Sequence, residues 1–198
     1  MKVVRESSPS RPGPGPSDAA LVVGARAGEG WAREALFGRH ATRLNGLAFR
    51  LMGRDRDVDD LVQDAFVAAL QSLHQLEDPN AFGSWLASIL VRLARKLIRR
   101  RRMMARLGFN RDALAIDLDE IASACATPAR VAEVRRLYRV IAELPADLRV
   151  PLVLHRVEGL ALGEVASMTR VSLSTVKRRI EEADARLRAH HDEGNEAP

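Results

Sequence analysis

The chain has 198 residues, 46% hydrophobic and 29% charged, enough apolar material for one large or two small folded domains. A single cysteine, Cys125, excludes an internal disulfide framework and fits a reducing compartment. No apolar run approaches the roughly 20 residues needed to cross a bilayer, and the cationic N-terminus lacks the apolar stretch of a secretory signal, so a cytoplasmic protein with no membrane insertion of its own is expected. A net charge of +5 favours an anionic partner such as nucleic acid, although solvated surface cations give the same sum.

Residues 1–16 are rich in Ser, Pro and Gly and carry too little apolar surface to offset the cost of ordering, so they read as a flexible tail. Ser17 or Asp18 caps a short helix through Ala27, broken by Gly28-Glu29-Gly30. A longer helix follows from Trp31, with Leu36, His40, Leu44, Leu47, Ala48 and Leu51 in one stripe and Gly53 at its end. His40 on that stripe reads as a packed core histidine.

Residues 54–73 form the most regular helical pattern: Val58, Leu61, Val62, Ala65, Phe66, Ala69, Leu70 and Leu73 recur at three and four. Asp59, Asp60, Gln63 and Asp64 gather at its start on the other side. Carboxylates in a first turn complement the helix dipole; so compact a patch equally suits docking of a basic partner. No His or Cys joins it at ligand spacing, so no metal is expected.

A loop is predicted over 75–84, with Pro79-Asn80 at its centre, and Trp85 opens a helix over 85–102. Trp85, Leu86, Ile89, Leu90, Leu93, Leu97 and Ile98 face inward, while Arg92, Arg95, Lys96, Arg99, Arg100, Arg101 and Arg102 crowd the outer face. Cations suit a helix C-terminus, which covers the last arginines but not Arg92, Arg95 and Lys96. With Phe82 and Trp85 beside them, these cations suggest a surface for a single strand and its unstacked bases; Trp85 serves equally as core.

Residues 103–126 read as an interdomain linker, basic at first and acidic later; the lone thiol of Cys125 reads as inert rather than redox-sensing. Thr127-Pro128 starts a helix, N-cap then proline at the first position, continued by Val131, Val134, Leu137, Tyr138, Ile141 and Leu144. The next helix is expected over 148–158, with Pro151 tolerated in its first turn and His155 at its surface. Residues 159–187 then read as two short helices around a turn at Thr169-Arg170. Leu160, Leu162, Val165, Ala166 and Met168 make the first apolar; Ser172 caps the second, whose Val176, Ile180, Ala183 and Leu187 face inward. Ser174, Thr175, Lys177, Arg178 and Glu181 remain outside. Hydroxyls and long cations near the N-terminus of such a helix suit the major groove, as in helix-turn-helix proteins; a solvated amphipathic helix is the plainer alternative. The polar 189–198 reads as a disordered tail, its His190-His191 pair too short to argue a metal.

DVDDLVQDAF, then FGSWLASILVRLARKLIRRRR, then LPADLRVPLVLHRVEGLALGEVASMTRVSLSTVKRRI, in this order and spacing, resemble an RNA polymerase sigma factor of the sigma-70 family, extracytoplasmic-function group. The resemblance implies an all-α protein of two small helical domains: a region 2-like bundle over 17–102 and a region 4-like helix-turn-helix domain over 127–188, joined by the flexible linker 103–126. It implies a non-catalytic subunit that binds polymerase core, recognises −10 and −35 promoter elements and assists melting, with no metal or cofactor. Asp60, Gln63 and Asp64, with Asp59 beside them, stand where the group docks on the clamp helices of the large polymerase subunit. Asn80, Phe82, Trp85, Arg92, Arg95, Lys96 and Arg99 fall in the loop and helix that melt and read the −10 element. Ser172, Ser174, Thr175, Lys177, Arg178 and Arg179 fall on the helix that reads the −35 element. The implied partners are polymerase core (clamp helices and −35-side flap), promoter DNA and an anti-sigma factor, by which small members of the group are commonly held inactive. Asp117, Asp119 and Glu120 of the linker fall where the family's linker threads polymerase near the RNA exit path, as nucleic-acid mimics or as a plain solvated linker.

The chain departs from the pattern in places. Arg170 stands where the helix-turn-helix turn often has Gly, and a left-handed Arg costs about 1 kcal/mol, which leaves room for another turn geometry. Ala161 replaces the usual polar cap and Gly163 sits inside the helix, which should therefore be marginal; Arg92 and Lys96 replace a frequent Asn and Asp. Two other functions remain in view: a stand-alone helix-turn-helix regulator, which leaves the N-terminal half unexplained, and an enzyme on nucleic acid, for which no nucleophile–base pair or phosphate-cradling loop exists.

Overall fold

A computed structural model describes residues 15–53, 57–108 and 127–195, and every regular element among them is helical. Four helices make the N-terminal group: α1 (Asp18–Arg26), α2 (Gly30–Met52), α3 (Val58–Gln71) and α4 (Phe82–Arg106). Four more make the C-terminal group: α5 (Pro128–Glu143), α6 (Ala146–Leu152), α7 (Leu162–Thr169) and α8 (Leu173–Asn195).

Local chemistry sets most boundaries. Ser17 caps α1 by accepting from the Ala20 amide at 3.2 Å, and Gly28 (φ 92°) makes the break before α2. Gly53 ends α2 in the left-handed conformation, its amide donating to the Phe49 carbonyl. Thr127 caps α5, with Pro128 at the first helical position. Ser172 caps α8 by accepting from the Thr175 amide at 3.3 Å.

The apolar stripes become the core. Leu21, Leu36, Leu44, Leu51, Leu86 and Leu90 are fully buried among α1, α2 and α4, and α3 closes the bundle with Val58, Leu61, Val62, Ala65, Phe66 and Ala69. In the C-terminal group, Val150, Val153, Leu154, Val165, Val176, Ile180 and Ala183 do the same. The two groups also pack on each other, since α4 rests against α6 and α7, and the buried apolar residues of both halves form one continuous cluster.

Four boundaries differ from expectation. α4 opens at Phe82, not Trp85: the Asp78 side chain accepts from the Asn80 amide, and the resulting 3-10 turn Pro79–Ala81 runs straight into the helix. It also continues to Arg106, into the segment read as linker; the rest of that segment, with Asp117, Asp119, Glu120 and Cys125, lies outside the described residues. α6 starts at Ala146, which makes Pro151 an interior residue rather than a first-turn one, and the helix widens into a π turn over Val153–Val157 immediately after it. α8 runs past Leu187 to Asn195, because no helix breaker intervenes before Gly194. The 189–195 stretch is therefore helix, not a disordered tail.

Candidate nucleic-acid and polymerase interface

The first group of candidate residues lies on α3. Burial of Leu61, Val62, Ala65 and Phe66 turns Asp59, Asp60, Gln63 and Asp64 outward, and all four are exposed. None is ion-paired to another described residue. Dipole complementation explains Asp59 and Asp60 in the first turn, but reaches Asp64 weakly. Val67, 53% exposed, stands one turn on, and Phe37, ring-packed on Phe66 at 4.8 Å, adds a second exposed apolar group to the same end of the bundle.

The second group lies at the start and along the outer face of α4. Asn80 is exposed, its side-chain amide donating to Asp78 at 3.1 Å. Phe82 is 0% exposed. Its ring makes an edge contact with His40 at 5.3 Å and supports Trp85 at 6.2 Å. A base cannot stack on a ring so placed, and the expectation that Phe82 offers a stacking surface is corrected: burial of such a side chain stabilises the fold by about 1.5–3 kcal/mol. Trp85 is half-buried and packs against the core. His40 is packed as expected, its Nε2 bonded to Asp18 at 2.9 Å.

The cations of α4 divide into two sets. Lys96 and Arg100 are exposed, with no ion pair to a described residue. Arg95 and Arg99 instead converge on Asp147, in the first turn of α6. Arg95 Nε donates to Asp147 Oδ1 at 2.7 Å and a second guanidinium nitrogen donates to the same oxygen. Arg99 Nη2 reaches both carboxylate oxygens, at 2.9 and 2.6 Å. Arg95 also donates to the Thr169 carbonyl at 3.4 Å, and Arg102 to the Glu143 carbonyl. Burial depresses the Arg92 guanidinium, and the like charge of Arg170 adds to the effect.

The third group opens α8. Ser172, Ser174 and Thr175 form a hydroxyl cluster, with Ser172 Oγ 3.0 Å from Ser174 Oγ and 2.8 Å from Thr175 Oγ1. Lys177 and Arg178 stand exposed beside it. Arg179 is turned away from them, half-buried and 3.9 Å from Asp147. The turn before α8 keeps the left-handed geometry in spite of its cost: Arg170 has φ 54° and ψ 47°, the one non-glycine among the described residues with positive φ. α7 lacks a side-chain cap at Ala161, but Glu164 reaches back to accept from the Ala161 amide at 2.8 Å.

Two residues of consequence escaped the sequence reading. Asp147 is the point where Arg95, Arg99 and Arg179 meet, and only the tertiary packing of α6 on α4 brings it there. Arg149 is 3% exposed, with Nε and Nη2 lacking a hydrogen-bond partner among the described residues. Burial, with the like charge of Arg101 adding to it, pushes its guanidinium down to about 10. No described helix is long and apolar enough to cross a membrane, and no cluster of His, Cys, Asp or Glu among the described residues could hold a metal.

Two family patterns match the chain: sigma-70 region 2 over residues 36–103 and sigma-70 region 4 over 134–187. The RNA polymerase sigma factor CnrH of Cupriavidus metallidurans is 31% identical over 189 residues, covering 91% of this chain and 98% of its own. The extracytoplasmic-function sigma factor SigE of Mycolicibacterium smegmatis is 30% identical over 159 residues, 78% of this chain; the chain spans 60% of that relative's length. Among solved structures, CnrH in complex with the cytosolic domain of CnrY superposes with a TM-score of 0.58 at 32% identity, over 88% of this chain and 97% of that one. The sigma factor RpoE of Bartonella quintana, in complex with the anti-sigma factor NepR, shares the fold at a TM-score of 0.57 and 20% identity, over 79% and 94% of the two chains.

Proposed function

Because the chain belongs to the sigma-70 family of RNA polymerase sigma factors, in its extracytoplasmic-function group, we propose that it joins polymerase core through α3 and carries the enzyme to promoters read by α4 and α8. It is a specificity subunit and not an enzyme. The observation that carries the residue-level reading is the exposed, unpaired state of Asp59, Asp60, Gln63 and Asp64 on the helix that the region 2 pattern covers. A face of three carboxylates and an amide, with no ion pair to a described residue, is fit to receive a basic surface on the clamp helices of the large subunit. The −35-side flap of core is the second contact.

On the DNA, the roles divide by chemistry. Lys177 and Arg178 project beyond the hydroxyl cluster at the N-terminus of α8, and supply base-edge or phosphate contacts in the −35 groove. Arg179 is a phosphate or positioning residue, because its side chain is half-buried. On α4, Arg92, Arg95, Lys96 and Arg99 line the path of the −10 strand, with Trp85 as the aromatic surface and Asn80 at its entrance. The net charge of +5 supports this use.

An anti-sigma partner follows from the solved neighbours, both of which are complexes: CnrH with the cytosolic domain of CnrY, and RpoE with NepR. Co-sedimentation with purified core, followed by a gel shift on promoter DNA with and without core, tests the proposal. Binding to core and core-dependent retardation support it; retardation by the chain alone, unchanged by core, favours an independent helix-turn-helix regulator.

A further inference from the structure

Arg149, in α6, is the one charged group among the described residues that is buried without a partner there. Its guanidinium, pushed down to about 10 by burial, still carries its proton at neutral pH. Nε and Nη2, the two nitrogens without an acceptor among the described residues, lie side by side on one edge of the guanidinium plane. That edge is the one suited to gripping an oxyanion, and Arg95 turns the same two atoms on the carboxylate of Asp147. Arg149 has the same edge and no carboxylate to meet it.

Its surroundings supply cations instead of a counter-charge. Arg101 and Arg102 of α4 add like charge to Arg149, and Arg106 and Arg186 add more around Arg102. The neighbouring carboxylates are engaged with other arginines: Asp57 with Arg101, Glu158 with Arg50 and Glu182 with Arg186. Glu143 acts on Arg102. Tyr138 of α5, whose phenol is raised by burial, brings a neutral hydroxyl to the same neighbourhood. A guanidinium taken out of water is stable only when its charge and its donors are met, and here neither is met by a described group.

We propose that Arg149, with Arg101, Arg102 and Tyr138 around it, forms a binding site for a small tetrahedral oxyanion of the phosphate class, gripped by the Nε–Nη2 edge of Arg149 and neutralised by the arginines of α4.

The chemistry of the site selects that class. Two parallel donors need two oxygens on one centre, which a halide does not offer. Several guanidinium groups in one place favour a doubly charged anion over a single carboxylate. The site is made by α4, α5 and α6, apart from the hydroxyl cluster that opens α8. An anion that binds this arrangement binds the folded chain and not the unfolded one, so it stabilises the fold by mass action.

Thermal melting of the full chain by circular dichroism, with inorganic phosphate replacing sodium chloride at constant ionic strength, tests the site. The parent should show a saturable rise in its midpoint, roughly 2–4 °C once phosphate reaches about five times its dissociation constant. Arg149→Met should lose the saturable part and keep only the shallow, linear rise that excluded salts give any protein. Arg33→Met, which removes an exposed cation in the first turn of α2, should keep the parent's curve. Arginine Nε–Hε NMR spectra locate the ligand: one resonance, absent from Arg149→Lys, should move with phosphate and saturate at the same dissociation constant. Arg149→Lys keeps the charge without the fork and should raise that constant about tenfold; it decides the question where Arg149→Met does not fold. A midpoint that rises identically in the parent and in either Arg149 variant overturns the site, as does a parent indifferent to phosphate. An Nε resonance that chloride saturates as tightly as phosphate overturns the oxyanion assignment.

Discussion

His40 Nε2 and Asp18 Oδ2 lie 2.9 Å apart, joining the middle of α2 to the first turn of α1. Arg39 binds the other carboxylate oxygen at 2.6 Å, and the His40 ring in turn supports Phe82 at the start of α4. The pair thus anchors the N-terminal helix and the beginning of the strand-reading helix to the same point.

That anchor predicts an acid-sensitive step. Burial alone would raise the Asp18 carboxyl, but the hydrogen bond from Arg39 and the charge of His40 outweigh it and hold it below the usual value. A carboxyl depressed in the folded state stabilises fully above its unfolded value of about 3.9, and loses that contribution as pH falls through the folded value. Asp18→Asn should therefore cost about 1 kcal/mol at neutral pH and almost nothing at the acid limit. Urea melts across that range should show the two curves converging as pH falls.

Arg170 holds a left-handed conformation that glycine adopts freely. Arg170→Gly should raise stability by about 1 kcal/mol and remove the like charge beside Arg92. A raised denaturant midpoint with an unchanged slope checks this. A lowered midpoint would mean that the Arg170 side chain contributes more than its backbone costs.

Asp60→Arg with Asp64→Arg should abolish association with polymerase core while helix content and melting temperature stay near the parent's. Both side chains are exposed and make no ion pair among the described residues, so the fold loses little by the change. Normal co-sedimentation of the double variant would remove α3 from the docking surface.

Lys177→Ala and Arg178→Ala should each weaken promoter recognition by about 1–3 kcal/mol where the contact is bidentate to a base, and by less where it is to phosphate. Competition between promoter variants mutated base by base within the −35 element distinguishes the cases. A base contact relaxes preference at one position; a phosphate contact lowers affinity uniformly and reduces the salt dependence.

Much of this was legible along the chain because it depends on local periodicity and capping. The Val58-Leu61-Val62-Ala65-Phe66-Ala69 stripe is buried as its spacing implies, and that alone turns Asp59, Asp60, Gln63 and Asp64 outward. Ser17, Thr127 and Ser172 cap the helices their positions announce. What stayed hidden depends on contacts distant in sequence. Asp147 lies 52 residues from Arg95 and 48 from Arg99, and no local pattern marks an acid in a first turn as a partner for them. Phe82 falls in a stretch whose Pro and Asn read as loop, which implies a surface ring; the Asp78 cap instead starts a 3-10 turn that leads into the helix at Phe82, and the ring is buried. Proline is costly outside a first turn, which argues for a helix beginning near Leu148, yet α6 accepts Pro151 in its interior and widens afterwards.

Run-off transcription from a randomised promoter library, with core polymerase and this chain reconstituted together, tests the central claim most directly. Enrichment of one sequence pair at −10 and −35 spacing, dependent on the chain and lost in Asp60→Arg with Asp64→Arg, is the predicted result. Transcripts that are identical with and without the chain would contradict it.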